Sequence, residues 1–299
     1  MTFRTLFVAL FALLLSACAP APAQQGIQAI AAPGPALWRV ADEDTTIWLF
    51  GTIHILPQGY RWRSAAIDGA IAGSDELVIE TVLPSNQSES AVLLMQLGVT
   101  PDLPPIGARV APELRPRLAA MIARGPFPEP FLDSLESWAA ALMLVGVTLN
   151  DLDLEAGSGA DDQLERAFRR ASKPVSGFEQ PGEQLGFFDA LPEEAQRDFL
   201  ASVIDAPGDV RAEYDAMLAA WSRGDEAAIS ASFDDELAVS PVLRDALLIR
   251  RNAAWARWIA ARMEDPGEVF VAVGAGHLAG RDSVQDFLRA AGVQSARVQ

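Results

Sequence analysis

The sequence is poor in the residues that build disulfides, histidine clusters and basic surfaces. Its 299 residues include one cysteine and two histidines, and 23 lysines and arginines stand against 40 aspartates and glutamates. A single cysteine excludes an internal disulfide. His54 and His277 lie far apart in the chain, which excludes the HExxH motif of many zinc proteases. A formal charge of −17 argues against clustered phosphate contacts, so we expect no nucleic-acid partner.

The N-terminus also lacks a segment long enough to cross a membrane. A short basic start, Met1 to Arg4, precedes the continuous apolar run from Leu6 to Leu15. That run is shorter than the roughly 20 apolar residues that a membrane-spanning helix needs. It fits the hydrophobic part of a secretory signal. We therefore predict a signal peptide over residues 1–17 and a protein that is exported.

A lipid attachment site follows this run directly. The segment Leu15-Ser16-Ala17-Cys18 resembles the lipobox of bacterial lipoproteins. We predict that acyl chains on Cys18 anchor the protein to a membrane, facing the periplasm, and Ala19 favours the outer membrane by analogy with lipoprotein sorting. The alternative is ordinary cleavage near Ala19 or Ala21, which would discard Cys18. Residues 18–35, rich in Ala, Pro and Gln and without charge, are typical of a flexible tether.

Short apolar runs alternate with helical patterns through the remaining residues, 36–299. Strands are predicted at Ala36–Val40, Ile47–Phe50, Glu76–Glu80, Lys173–Glu179, Val269–Val273 and Val293–Val298. An acidic turn, Asp42 to Asp44, joins the first two strands as a hairpin. The longest predicted helix runs from about Val242 to Met263. This alternation predicts one helix-rich α/β domain around a small mixed or parallel sheet, with the site at the carboxyl ends of the strands.

Functional side chains follow four of these strands at their carboxyl ends. The segments Gly51–His54 and Gly274–His277 form two GxxH motifs, and Glu80 and Glu179 end two other strands. Glycine lets the chain turn sharply off a strand. Because the carboxyl ends of parallel strands share one edge of a sheet, the four side chains are expected to meet there. Two imidazoles with one or two carboxylates suit a divalent Mn, Co, Fe or Zn ion.

Further polar residues are candidates for the same site. Asp161 is either another metal ligand or a carboxylate that complements a helix dipole. Arg251 lies on an apolar helix stripe, where it either extends to solvent or forms a fixed cation for a substrate carboxylate or an oxyanion. Asn252 would accompany it in substrate binding. Glu80 and Glu179 are either catalytic carboxylates or exposed strand ends.

These motifs together resemble the TraB/GumN family, to which the Tiki metalloproteases are related. The resemblance is carried by Trp38–Pro57, Leu77–Thr81, Gly159–Pro192, Tyr214–Asp225, Arg251-Asn252 and Val273–Gly280. The central segment reads GFEQ where the family pattern has GLET, and Glu179 stays in place. For the Tiki branch the resemblance implies metal-dependent proteolysis, with the GxxH histidines and a glutamate at the metal. For most bacterial members no substrate is established.

We therefore expect a metal-dependent hydrolase, in the first instance a peptidase, that acts on a peptide or protein outside the cytoplasm. His54, His277 and Glu80 would hold the metal, with Glu179 or Asp161 as a further ligand or general base. The alternative is a non-catalytic lipoprotein that binds a metal, a haem-like ligand or a peptide in the same pocket. A purely structural role would leave the paired GxxH motifs unexplained.

Overall fold

The computed structural model describes residues 34–84, 86–150, 152, 154, 157–205, 210–237 and 240–299. The predicted signal peptide, Cys18 and most of the predicted tether lie outside these residues. Within the described residues, every helix is too short or too polar to reach across a bilayer. The described chain begins against the C-terminus, where Gln299 Nε2 donates a 2.9 Å hydrogen bond to the Pro35 carbonyl.

The described residues fold around a six-stranded mixed sheet. Its strands are β1 (Leu37–Ala41), β2 (Thr45–Thr52), β3 (Glu76–Thr81), β4 (Val175–Glu179), β5 (Gly267–Gly274) and β6 (Ser295–Arg297), in the order β4-β3-β5-β2-β1-β6. Strands β4, β3, β5 and β2 are parallel to one another. Strand β1 pairs antiparallel with β2 and β6. The predicted α/β fold and opening hairpin are confirmed, and four carboxyl ends lie at one edge of the sheet.

Helices cover both faces of this sheet. The α-helices of the described chain are α1 (Ala65–Gly73), α2 (Gln87–Gly98), α3 (Arg115–Arg124), α4 (Glu129–Asp133), α5 (Ser137–Asn150), α6 (Ala160–Arg170), α7 (Pro181–Asp189), α8 (Glu193–Ile204), α9 (Val210–Ser222), α10 (Glu226–Leu237), α11 (Pro241–Arg244), α12 (Arg250–Arg262) and α13 (Val284–Ala290). A π-helical turn, Asp245–Ile249, joins α11 to α12. The long predicted helix near the C-terminus is therefore continuous but contains a wider turn just before Arg251. Such π turns are often found at functional sites.

Alternate side chains of the strands enter two separate cores. On one face Val78, Val271 and Val273 pack against Trp255 and Ile259 of α12. On the other face the larger core includes Leu77, Ile79, Phe50 and Phe270, together with buried residues of α5, α6, α8 and α9. Burial on both faces explains why the central strands are apolar runs rather than alternating ones. Helix α12 reaches the carboxyl edge of the sheet, where Trp255 contacts Glu179 at the end of β4.

Candidate functional site

The first GxxH motif begins at Gly51, where the chain leaves β2 so close to the second motif that a side chain has no room. A Cβ atom on Gly51 would lie 2.9 Å from Cα of Ala275 in the second motif. Trp221 of α9 donates a 2.7 Å hydrogen bond from Nε1 to the Gly51 carbonyl. Ala160 N, in the first turn of α6, donates to the Ile53 carbonyl at 2.9 Å. The turn that carries His54 is therefore attached to β5, α9 and α6.

The second GxxH motif leaves β5 as a 3₁₀ turn over Ala275–Leu278. Its first glycine lies at the centre of the site, because a Cβ on Gly274 would be 3.1 Å from Glu80 Oε1 and 3.5 Å from His54 Nε2. Its second glycine, Gly276, lies under the Phe233 ring of α10, which a Cβ would overlap. Close approach rather than an unusual backbone angle thus favours glycine at both positions, most strongly at Gly276.

His54 and His277 meet at one carboxylate oxygen. Nε2 of His54 lies 3.9 Å from Glu80 Oε1, and Nε2 of His277 lies 3.7 Å from the same atom. All three residues are buried, with exposed fractions of 3% to 4%. The parallel strands therefore bring together residues that are more than 200 positions apart in the sequence, from His54 to His277.

Glu80 is an ionised carboxylate whose two oxygens have different partners. Oε1 accepts a 2.7 Å hydrogen bond from Gly274 N, and Oε2 accepts from Arg251 Nη2 at 2.6 Å and from Gln184 Nε2 at 3.3 Å. Burial alone would raise the pKa of Glu80. The charges of Arg251 and His54 and the Gly274 N–H oppose burial and hold the pKa of Glu80 well below its usual range.

Glu179 forms the second half of an ion-pair network centred on Arg251. Its Oε1 accepts from Arg251 Nε at 2.7 Å and its Oε2 from Arg251 Nη2 at 2.9 Å. Trp255 Nε1 also donates to Oε1 at 3.1 Å. Burial raises the pKa of Glu179, although the bidentate guanidinium partly opposes that shift.

All five N–H groups of Arg251 are directed at protein atoms. Besides the two glutamates, Nη1 approaches the Leu247 carbonyl at 3.2 Å and His277 Nε2 at 3.3 Å. The guanidinium is 2% exposed and lies 4.7 Å from the Trp255 ring centroid. Burial alone would lower the pKa of Arg251, but Glu80 and Glu179 raise it. Of the two predictions for Arg251, extension to solvent is therefore wrong, and a fixed buried cation is present.

His277 is neutral and is held from both sides of its ring. Nδ1 lies 2.6 Å from Asn252 Oδ1. The ring packs against Trp255, with 4.5 Å between the centroids. Burial, followed by the charges of Arg251 and His54, lowers the pKa of His277 to about 3, and Glu80 only partly opposes this. Asn252, which was predicted as a companion of Arg251 in substrate binding, contacts this histidine.

His54 differs from His277 because an acidic residue lies behind it. Nδ1 is 3.1 Å from Asp161 Oδ2, a close ion pair that is not aligned as a directed hydrogen bond. Burial alone would lower the pKa of His54, but Asp161 above all, with Glu80 and Asp162, raises it to about 9. Asp161, predicted as a metal ligand or a dipole partner, thus lies at the nitrogen of His54 that faces away from Glu80.

The side chains at the site are of the chemical types that bind a divalent cation. Two imidazole nitrogens and a carboxylate oxygen face one another, and both ring nitrogens of His54 are buried without a directed hydrogen bond. Nitrogen and carboxylate donors of this type suit Mn, Fe, Co or Zn. Across the described ranges, no three His, Cys, Asp or Glu side chains already stand at metal-coordinating spacing. His54, His277 and Glu80 are the residues that would hold the ion.

Two further residues, Gln184 and Trp255, contact the buried glutamates and were not among the predicted site residues. Gln184 donates to Glu80, and Trp255 donates to Glu179 and packs on both Arg251 and His277. The signal for Trp255 is its spacing of four residues from Arg251, which places both on one helix face. Gln184 lies in the Gly159–Pro192 segment that carries the family resemblance, but its spacing does not predict a contact with Glu80.

A family model provides the comparison with known proteins. The model described as the TraB/PrgY/gumN family matches residues 36–297. The chain belongs to this family. No curated protein and no solved structure matches the chain. The TraB/PrgY/gumN match spans the whole sheet, both GxxH motifs and Arg251, so it confirms the family resemblance inferred from the sequence motifs.

Proposed function

We propose that this TraB/PrgY/gumN protein is a metal-dependent hydrolase, acting on peptide bonds outside the cytoplasm while anchored through Cys18. The observation that carries the proposal is the convergence of His54 Nε2 and His277 Nε2 on Glu80 Oε1, at 3.9 and 3.7 Å. In each histidine the other ring nitrogen lies against a side-chain oxygen. Metal-binding histidines commonly have this second contact.

The residues of the pocket divide into those that would hold the cation and those that would act on charge and protons. His54, His277 and Glu80 form the first group. A divalent cation bound there would activate water and polarise a substrate carbonyl. Glu179 would accept and return a proton, because its raised pKa brings it closer to neutral pH. Asp161 would hold and orient His54.

Arg251 would act through its fixed charge rather than through a direct hydrogen bond to the substrate. Its N–H groups are all directed at Glu80, Glu179, Leu247 and His277. A buried guanidinium in a site that excludes water interacts more strongly with developing negative charge than an exposed one does. Its charge also opposes the effect of burial on both carboxylates, lowering the pKa of Glu80 and limiting the rise in the pKa of Glu179.

The proposed location rests on the N-terminal sequence and has its own test. We expect the wild-type protein to fractionate with membranes and to incorporate labelled fatty acid. The variant Cys18→Ser should lose the label and the membrane association. A Cys18→Ser protein that stays lipidated would show that the anchor is elsewhere.

The proposed activity is tested with purified protein, metal analysis and a peptide library. We expect cleavage that a chelator abolishes and that one of Mn, Co, Fe or Zn restores. The double variant His54→Ala/His277→Ala should lose both the metal and the cleavage. A matched control is Gly69→Ala on α1, where an added Cβ has no neighbour within 4 Å.

Two results would separate the parts of the proposal. Full metal content in the double histidine variant would contradict the metal site itself. Metal binding without chelator-sensitive cleavage under any of the four metals would favour the non-catalytic alternative, a lipoprotein that binds a metal, a haem-like ligand or a peptide.

A further inference from the structure

A chain of hydrogen bonds behind His277 determines which of its nitrogens carries a proton. It begins at the Asp282 carbonyl, which can only accept, and Asn252 Nδ2 lies 2.7 Å from that oxygen. The NH₂ group of Asn252 must therefore face Asp282, and its Oδ1 must face His277 Nδ1 at 2.6 Å. Because an amide oxygen also only accepts, the proton lies on Nδ1 of His277.

The other side of the ring requires the same tautomer. Nη1 of Arg251 lies 3.3 Å from Nε2 of His277. A guanidinium has donors and no acceptor, so Nε2 must present a lone pair. A ring whose Nε2 presents a lone pair is neutral. A neutral imidazole carries one proton, and both contacts place it on Nδ1.

The carbonyl at the start of the chain is itself held in place. Asp282 has a φ of 60°, a conformation that aspartate adopts more readily than most residues but that still requires support. Its N–H donates to Asp286 Oδ2 at 3.1 Å. Its carboxylate accepts from Arg244 Nη2 at 3.0 Å, and Arg244 Nη1 reaches Asp234 Oδ1 at 2.7 Å. Residues of α10, α11 and α13 therefore fix the position of Asn252 relative to His277.

We infer that Asn252 is a positioning residue that fixes His277 in its Nδ1-protonated tautomer, so that Nε2 keeps its lone pair, which accepts from Arg251 Nη1. Asn252 is fully buried, and each of its polar side-chain atoms has a protein partner. The consequence for metal binding rests on the proposed function, because Nε2 is the atom that would hold the cation. The tautomer itself does not depend on that function.

The presence of only two histidines makes a direct test possible. The metal-free full-length protein is labelled with ¹⁵N-histidine, and NMR correlations between ring nitrogens and carbon-bound protons report the tautomer of each ring. His54→Gln assigns the remaining signals to His277. We expect a proton on Nδ1 of His277 in the wild type. We expect Asn252→Leu, which cannot accept, to populate the Nε2-protonated form, and Asn252→Asp to keep the wild-type tautomer.

The His54 signals serve as an internal control, since they should be the same in both Asn252 variants. An Nε2-protonated His277 in the wild type would overturn the inference. An unchanged tautomer in Asn252→Leu would show that the Arg251 contact alone fixes the ring, and it would overturn the positioning role of Asn252. If Asn252→Leu does not fold, Asn252→Ser provides a smaller change with a shorter side chain. The wild-type spectrum decides the tautomer in any case.

Titration with Zn²⁺ alone links the tautomer to the proposed site. Changes to residues that orient metal ligands commonly weaken affinity by about 10–100-fold, so we expect that loss in Asn252→Leu and a smaller one in Asn252→Asp. Equal Zn²⁺ affinity in wild type and Asn252→Leu would contradict a positioning role. A wild type that shows the Nδ1 tautomer but binds no metal would contradict the proposed function and leave the tautomer established.

Discussion

Replacement of Arg251 with methionine removes the cation that Glu80 and Glu179 share. The side chains have similar length, but methionine has no charge and no N–H donor. In the folded protein Glu80 would lose its 2.6 Å contact and Glu179 its contacts at 2.7 and 2.9 Å. Both carboxylates would stay buried, because they lie below 10% exposure. The variant therefore tests whether the network is held together by this one side chain.

The expected loss in the free energy of unfolding depends on the burial of the ion pairs rather than on the number of hydrogen bonds removed. Breaking a buried ion pair by removing one partner costs about 3–5 kcal/mol, because an uncompensated charge remains. The two pairs share one cation and are not additive, so we expect a loss of about 3–5 kcal/mol in the free energy of unfolding at neutral pH. A typical domain has about 5–15 kcal/mol in total, so the variant would be strongly destabilised.

Urea unfolding followed by tryptophan fluorescence measures this loss. The matched control is Arg117→Met, since Arg117 pairs with Asp205 at the surface, where the two side chains are 54% and 58% exposed. Exposed pairs contribute about 0–1 kcal/mol, so the control should be nearly neutral. A loss below about 1 kcal/mol in Arg251→Met, similar to the control, would refute the reasoning.

The contribution of Glu80 to the free energy of unfolding should depend on pH in opposite directions in the wild type and in Arg251→Met. In the wild type the pKa of Glu80 is lowered, so its contribution to stability is present above its unfolded pKa and is lost as pH falls. Without Arg251, burial raises the pKa of the same carboxyl above its unfolded value. In Arg251→Met the contribution of Glu80 to stability is therefore present in acid and is lost as pH rises. The difference in stability between wild type and Arg251→Met should therefore narrow from pH 8 to pH 5.

Three other perturbations have defined outcomes. Gly276→Ala forces a Cβ into the Phe233 ring and should cost about 1–3 kcal/mol or more in urea unfolding, whereas Gly69→Ala should be neutral or stabilising; equal effects would contradict the close packing. Trp221→Phe removes the hydrogen bond that Trp221 Nε1 donates to the Gly51 carbonyl and should cost about 0.5–1.5 kcal/mol, which a neutral result would disprove. The raised pKa of His54, about 9, contributes stability that is fully present below the unfolded pKa of 6.5 and is lost as pH rises toward 9. In metal-free protein this loss should disappear in His54→Gln, and its persistence would assign it to another group.

The sequence was sufficient to predict the elements and the edge of the sheet where the site lies. Unbroken apolar runs such as Val269–Val273 require burial on both faces, which implies a parallel sheet with helices on either side. The strand-Gly-x-x-His pattern then places His54 and His277 at the carboxyl edge, together with Glu80 and Glu179. These inferences depend only on periodicity and chain direction, both of which are local properties of the sequence.

The partners of these groups were decided by the tertiary structure alone. Helical spacing placed Arg251 on an apolar stripe but did not distinguish a side chain that extends to solvent from one that pairs with two buried carboxylates. Asp161 was predicted as a metal ligand or a helix-dipole partner and Asn252 as a substrate-binding residue, and the sequence did not predict that each lies at the Nδ1 side of a histidine. Such contacts depend on how α6 and α12 pack against the sheet. They join residues that are far apart in the sequence, and periodicity reports only local spacing. The sequence thus determined which groups reach the edge of the sheet, and packing determined which atoms of those groups face one another.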